Sequence, residues 1–131
     1  MKVRREITLA LENVPGQLAH VCECLAQRKV NITAISAVET ANIGLIRMVV
    51  DKPAVAIKML RKCCPLTVST CDVLELSVPN KPGALLAIAK RLARKKINIV
   101  YLYGTATGQL RTDIIVRPSD MKKATRLLKG M

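Results

Sequence analysis

The stretch 13-NVPGQL-18 returns, little changed, as 80-NKPGAL-85 in a chain of 131 residues. Laying residues 13–32 over 80–99 without a gap matches Asn, Pro, Gly, Leu, Leu, Ala, Lys, Asn and Ile, nine identities in twenty positions. Val21/Ile88 and Val30/Ile97 are conservative besides. The register then slips by two residues, and 40-TANIGLIRMVV-50 lies beside 105-TATGQLRTDII-115. Each copy next reaches a proline, Pro53 or Pro118, ahead of a helical-looking segment. Self-similarity on this scale marks a duplicated supersecondary unit.

Within each copy the periodicity changes in the same order. ITLALENV and VLELSV (73–78) read as strands, and Pro-Gly then breaks the strand. Leu18, Val21, Cys22 and Leu25 follow at helical spacing, mirrored by Leu85, Ile88, Ala89 and Leu92. β-rich ITAISAV and IVYLYG come next, then turns near 42–44 and 107–109, and then LIRMVVD and LRTDIIV. Proline is expected to open the last helix, where its missing N–H matters least. The order is βαββα, and a fourth strand near Leu66–Thr70 closes the first copy. The fold class is therefore α+β, two tandem ferredoxin-like βαββαβ units, with domains at 1–70 and 71–131. The second unit lacks its last strand, because only Gly130 and Met131 follow a helix expected at 118–129. The open edge of 73–78 is expected to be covered by Leu66–Thr70 or by a strand of another subunit. Domains of about 60–70 residues bury little surface alone, so the two should pack as a pseudo-symmetric pair, with sheets joined edge to edge.

Composition narrows the function. The net charge is +13, with +5 from residues 1–65 (ten basic, five acidic) and +8 from 66–131 (twelve basic, four acidic). The sharpest cluster is 90-KRLARKK-96. Such a surface attracts nucleic acid, an anionic membrane or an acidic protein. Sequence-specific RNA reading needs aromatic platforms, and the chain has no Phe or Trp and only Tyr101 and Tyr103. Phosphate attraction through Lys90, Arg91, Arg94, Lys95 and Lys96 is the lesser reading of the cluster and a solvated helix face the expected one, so neither nucleic acid nor a membrane is an expected partner.

No apolar run of 18 residues or signal-peptide core occurs, and five cysteines without regular spacing point to a reducing, cytoplasmic setting. Cys22 is expected in the core and Cys24 or Cys71 at the surface. Cys24 lies one turn after His20, but no second pair completes a metal site, and Cys63-Cys64 is too tight to chelate simply. Metal and cofactor are expected to be none. With one histidine, a solitary Asp113 and no paired carboxylates, catalysis is not expected.

The N-x-P-G-x-L loop, the helix ending in K-[VI]-N-I, the hairpin and the proline-initiated helix resemble the ACT domain, a small regulatory module that binds amino acids. The tandem layout, including 101-YLYG-104, is similar to stand-alone two-ACT proteins of bacteria and archaea. That resemblance implies an amino acid, or a similar carboxylate, held at the first strand–helix turn, usually where two ACT domains meet. The implied contacts are Asn13, Val14, Pro15, Gly16, Gln17 and Leu18 in the first copy. Asn80, Lys81, Pro82, Gly83, Ala84 and Leu85 are their counterparts in the second. Asn31 and Asn98 begin the next strand, where they can reach a ligand on the neighbouring copy or simply cap local backbone.

Physical chemistry is consistent with this. A helix N-terminus offers unpaired N–H groups to a carboxylate, Gly lets a ligand approach the backbone, and Pro stiffens the turn. Asn stands where many ACT loops carry Asp, which weakens the hold on an ammonium group, and Lys81 draws anions to the second loop. Equally, a Pro-Gly turn needs no ligand. Two readings follow. One, a homodimer being expected for either, is a non-catalytic amino-acid sensor acting on another protein. The other is a module whose pockets are vestigial and whose basic face docks an acidic partner.

Overall fold

Alternation along β1 (Lys2–Glu12) turns Ile7, Leu9 and Leu11 to one face, where all three are buried. A computed structural model describes residues 1–63, 67–106 and 108–131. It divides into two compact units, residues 5–71 and residues 1–4 with 72–131.

In the first unit β3 (Ile43–Val50) runs antiparallel to β1, with Ile7 opposite Met48 and Leu9 opposite Ile46. The helices α1 (Gln17–Gln27) and α2 (Pro53–Cys63) add Val21, Leu25, Ala56 and Leu60 to the same core. Each fully buried aliphatic side chain there is worth about 1.5–3 kcal/mol. β2 (Ile32–Thr40) pairs antiparallel with β3, and the opening of β4 (Thr67–Pro79) closes the unit in the order β2-β3-β1-β4. Leu66, the first residue of the expected closing strand, lies outside the described residues.

The second unit repeats the plan with α3 (Ala84–Arg94), β5 (Ile99–Ala106), β6 (Arg111–Pro118) and α4 (Met121–Leu127). Its core is Leu74, Leu76, Val78, Ile88, Leu92, Ile114, Val116, Ala124 and Leu128. The strand order is β1-β4-β6-β5, with residues 1–4 supplying the β1 portion.

The edge of 73–78 is covered differently from expectation. Leu66–Thr70 cannot lie beside it, because Thr67–Pro79 is one unbroken strand. Ser69-Thr70-Cys71-Asp72 holds no Gly or Pro to reverse the chain. The N-terminal residues take the slot instead, and Arg4 Nε stands 3.8 Å from Glu75 Oε2. A division at 70/71 leaves residues 1–4 in the other copy, whereas the compact units group them with 72–131.

The second half of the repeat is also re-registered. Ile7 faces Met48 and Leu74 faces Val116, so β6 follows β3 at an offset of 116 − 48 = 68, not 65. Pro118 consequently replaces Val50 at the end of a strand, and it does not open the helix. The residue equivalent to Pro53 is Met121, and α4 is capped instead by Asp120, whose Oδ1 accepts the Lys123 N–H at 3.0 Å. The same offset matches buried Ala56 with Ala124 and buried Leu60 with Leu128. Both α1 and α3 end in a lysine at φ 55°, Lys29 or Lys96. The N–H groups of Val30 and Ile97 reach back to the Leu25 and Leu92 carbonyls, each at 3.0 Å, completing a Schellman closure.

Candidate functional site

The first copy of the loop is built by three local constraints. The Val14 N–H turns back to the Glu12 carbonyl at 2.9 Å, ending β1. Pro15 cannot continue a ladder, and Gly16 takes φ 92°, ψ −8°, a left-handed conformation that glycine adopts without a Cβ penalty. α1 then starts with no side-chain cap and no acidic residue in its first turn. Its opening N–H groups therefore keep their partial positive charge available. A Cβ on Gly16 would meet nothing within 4 Å, so the space over the turn is open.

That space is a cleft of about 350 Å³. One wall is the loop itself, Asn13, Val14, Gly16, Gln17 and Leu18. The facing wall is the tip of the β2–β3 hairpin, Ala37, Val38, Glu39, Gly44, Leu45 and Ile46. Register explains the opening. Leu11 and Glu39 both sit opposite Gly44, so the residue between them in the row has no side chain. Glu12 and Glu39 are the charged side chains of the lining, and it includes no Lys or Arg. Val14 and Leu18 are 46% and 44% exposed, an apolar lip that the core does not account for.

The second loop has the same backbone. Gly83 takes φ 89°, ψ −10°, α3 starts without a side-chain cap, and a Cβ on Gly83 also meets nothing within 4 Å. Its hairpin differs. Four residues separate β5 from β6 where two separate β2 from β3, and Gln109 and Leu110 lean on the loop. Asn80 donates its backbone N–H to Leu110 O at 2.9 Å and Nδ2 to Gln109 O at 3.2 Å. Asn13 donates its N–H to Asn42 O at 3.1 Å, and among the described residues its side chain has no bond matching that of Asn80. Thr112 stands at the register position of Gly44, and Pro79 and Ala106 stand at those of Glu12 and Glu39. The cleft found beside this hairpin is lined by Ser77, Gly108, Gln109, Leu110, Arg111 and Asp113, with none of residues 80–85 in its wall. Arg111 is held there by Ser77, Nε to Oγ at 2.9 Å and Nη2 to the carbonyl at 2.8 Å.

Thus five of the six expected residues of the first loop share one cleft, and Pro15 shapes the turn without lining it. Asn31 and Asn98 are not at the loops of their own units. Each lies past the far end of an eleven-residue helix, about 16 Å away at 1.5 Å per residue. There the Asn31 N–H meets Asp51 Oδ1 at 2.9 Å and the Asn98 N–H meets Ser119 Oγ at 2.9 Å. Their carbonyls accept the N–H groups of the same partners. Cys22 is exposed and Cys24 buried, the reverse of expectation, because α1 buries Val21, Cys24 and Leu25. Cys71 is half-buried. His20 Nε2 lies 3.2 Å from the Cys63 carbonyl and 3.9 Å from Cys24 Sγ. Among the described residues no group of three or more His, Cys, Asp or Glu could hold a metal ion, and no helix is long and apolar enough to cross a membrane.

With this geometry in hand, likeness to known proteins is decisive. Residues 1–129 match the family described as the ACT domain pair. The chain belongs to that family. Protein BT0572 from Bacteroides thetaiotaomicron is 34% identical, with 97% of this chain and 87% of that one covered and a TM-score of 0.90. The ligand-free regulatory subunit of aspartate kinase from Thermus thermophilus shares 17% identity over 98% of this chain and 95% of that one, TM-score 0.70. E. coli aspartokinase III in complex with lysine and aspartate shares 13% over 98% of this chain and 30% of that one, TM-score 0.63. At such identities the two kinase likenesses are of fold. No curated protein matches the chain. The hairpin wall was missed in the sequence although the element order implies it. In a βαββ unit the β2–β3 tip returns to the end of the sheet where β1 hands over to α1.

Proposed function

We propose that this ACT domain pair is a regulatory module that binds an amino acid, or a closely related ammonium-bearing carboxylate, in the cleft between Gly16 and Gly44. The observation that carries the reading is Gly44 itself, which leaves the space between Leu11 and Glu39 unfilled opposite an uncapped helix start. A ligand carboxylate suits the free N–H groups of α1. Its ammonium suits Glu39 and Glu12, and an aliphatic side chain suits Val14, Leu18 and Val38. Two carboxylates without a cation disfavour a simple anion by like-charge repulsion and favour a zwitterion or a cationic amino acid. The cleft volume, about 350 Å³, falls in the usual small-molecule range of about 300–1,000 Å³. The lysine and aspartate carried by the E. coli aspartokinase III of similar fold are in keeping with this ligand class.

The ligand acts by favouring whichever conformation it binds more tightly, and only by that difference. The output passes to another protein, from a homodimer in the cytoplasm. The test is thermal unfolding against the twenty amino acids at fixed ionic strength. A ligand at about 100 times its dissociation constant stabilises by roughly 2.7 kcal/mol, a shift of several degrees. One side-chain class is expected to raise the melting temperature, and a flat panel would overturn the sensor reading.

A further inference from the structure

A different surface stands out once charge is sorted by unit. Residues 5–71 carry eight basic and five acidic side chains, +3. Residues 1–4 with 72–131 carry fourteen and four, +10. Eight of those fourteen are exposed cations on or beside α3 and α4: Lys90, Arg94, Lys95, Lys96 and, from the last segment, Lys122, Lys123, Arg126 and Lys129. Among the described residues none of the eight is held in an ion pair. Arg91 has a separate job, bonding Leu127 O and Met131 Sδ, each at 2.8 Å, which pins α4 to α3.

Helix-end electrostatics favours Arg94 and Arg126, each in the last turn of its helix, but does not explain the whole placement. Lys122 and Lys123 occupy the first turn of α4, where the helix dipole disfavours cations. Lys90 and Arg94, like Lys122 and Arg126, are like charges four residues apart, an arrangement that destabilises a helix. The charge is also focused. Lys95, Lys123, Arg126, Ile97 and Leu127 line a cleft of about 440 Å³. The same place in the first unit is a cleft of about 230 Å³ lined by Arg28, Val55, Lys58, Met59 and Lys62. By the 67- and 68-residue offsets Arg28 matches Lys95, Lys58 matches Arg126 and Met59 matches Leu127. Lys123 replaces Val55 while Lys62 has no counterpart in the second wall, so each cleft is lined by three cations, and the second is the larger and belongs to the more basic unit.

We propose that the helical layer of the second unit docks the sugar–phosphate backbone of duplex nucleic acid, without reading its sequence. Charge complementarity chooses the partner. Protein interfaces centre on apolar and aromatic side chains, whereas here the apolar lining is buried Ile97 and half-buried Leu127, set among three exposed cations. Nucleic-acid interfaces are the more polar and strongly positive kind. Single strands are held by stacking on aromatic rings. Tyr101 and Tyr103 alternate with Leu102, which shares the register row of core Val116, so neither tyrosine lies on the helix side. Lysine-rich contact to phosphate, with nothing to stack on or read bases, fits a duplex backbone.

The experiment is fluorescence polarisation of a labelled DNA duplex of about 20 base pairs with the full chain, from about 50 to 200 mM KCl. The affinity is expected to fall with a log–log salt slope near −4, about −0.9 for each phosphate neutralised. Duplexes of unrelated sequence should bind alike. Lys95→Glu with Lys123→Glu and Arg126→Glu should weaken binding by at least about tenfold, from the loss of three phosphate contacts. Lys2→Glu with Arg5→Glu and Lys29→Glu, the same charge change at exposed positions elsewhere, should change it far less. The glutamine version of the first triple gives the same direction if the reversal disturbs folding. No binding at the lowest salt, equal loss in both triples, or a strong preference for one sequence overturns the proposal. Displacement of the duplex by polyglutamate at equal charge does so too, and assigns the surface to an acidic protein.

Discussion

Gly16 and Gly83 adopt φ values of 92° and 89°, each starts an eleven-residue helix without a side-chain cap, and each has open space where a Cβ would point. Around the first, Gly44, Glu12 and Glu39 leave an acidic cleft. Around the second, Thr112, Pro79 and a longer hairpin stand in those positions, and Asn80 is bonded to that hairpin. Duplication preserved the backbone device, and the neighbouring strands then diverged. A loop motif therefore gives the geometry of a turn, while the residues that make the turn a site come from the hairpin that faces it.

The largest expected effect separates the two sides of the cleft. Gly44 has an ordinary strand conformation, and a Cβ there meets only Leu11 O at 3.8 Å. Gly44→Val should fold, fill the cleft and abolish a ligand-induced stabilisation of about 2.7 kcal/mol measured at about 100 times the dissociation constant. Thr112→Val, its register partner in the second unit, should leave the ligand response intact. Next, Gly16→Val and Gly83→Val should each destabilise by about 1–2 kcal/mol in denaturant melts, since both force a branched residue into a left-handed conformation. Equal losses would confirm that the two turns are one backbone device.

Glu39→Gln comes third. Replacing a charged acceptor by a neutral one should weaken ligand binding by about 1.4 kcal/mol, tenfold by calorimetry, with little change in the unliganded melt. The smallest effect is on the asparagines. Asn80→Ala loses a side-chain bond to Gln109 and should cost about 1 kcal/mol of stability. Asn13→Ala, whose side chain has no such bond among the described residues, should cost nothing measurable and alter only the ligand response.

Much of the fold was legible in the chain because its signals are local and occur twice. Ile7, Leu9 and Leu11 alternate as Leu74, Leu76 and Val78 do, and Pro-Gly marks each strand–helix handover. What misled was the second half of the repeat. Pro53 and Pro118 look equivalent, yet one opens a helix and the other ends a strand, because the second hairpin connection is longer. Side-chain identity does not reveal that; ladder register does. The closing strand of the second unit was illegible for a related reason. The residues that take its place lie at the opposite end of the sequence, where no periodicity links them to β4. Of the site, the loop wall was readable from Asn-x-Pro-Gly-x-Leu. Glu39 and Gly44 were not, since their role depends on standing in one row with Leu11.

The most direct test of the difference between the loops is amide-resolved NMR during titration with the amino acid that raises the melting temperature. Chemical-shift changes should concentrate at Gly16, Gln17, Leu18 and Gly44, saturating at one ligand per chain. Changes centred on Gly83 and Ala84 instead, or spread equally over both loops, would contradict the account.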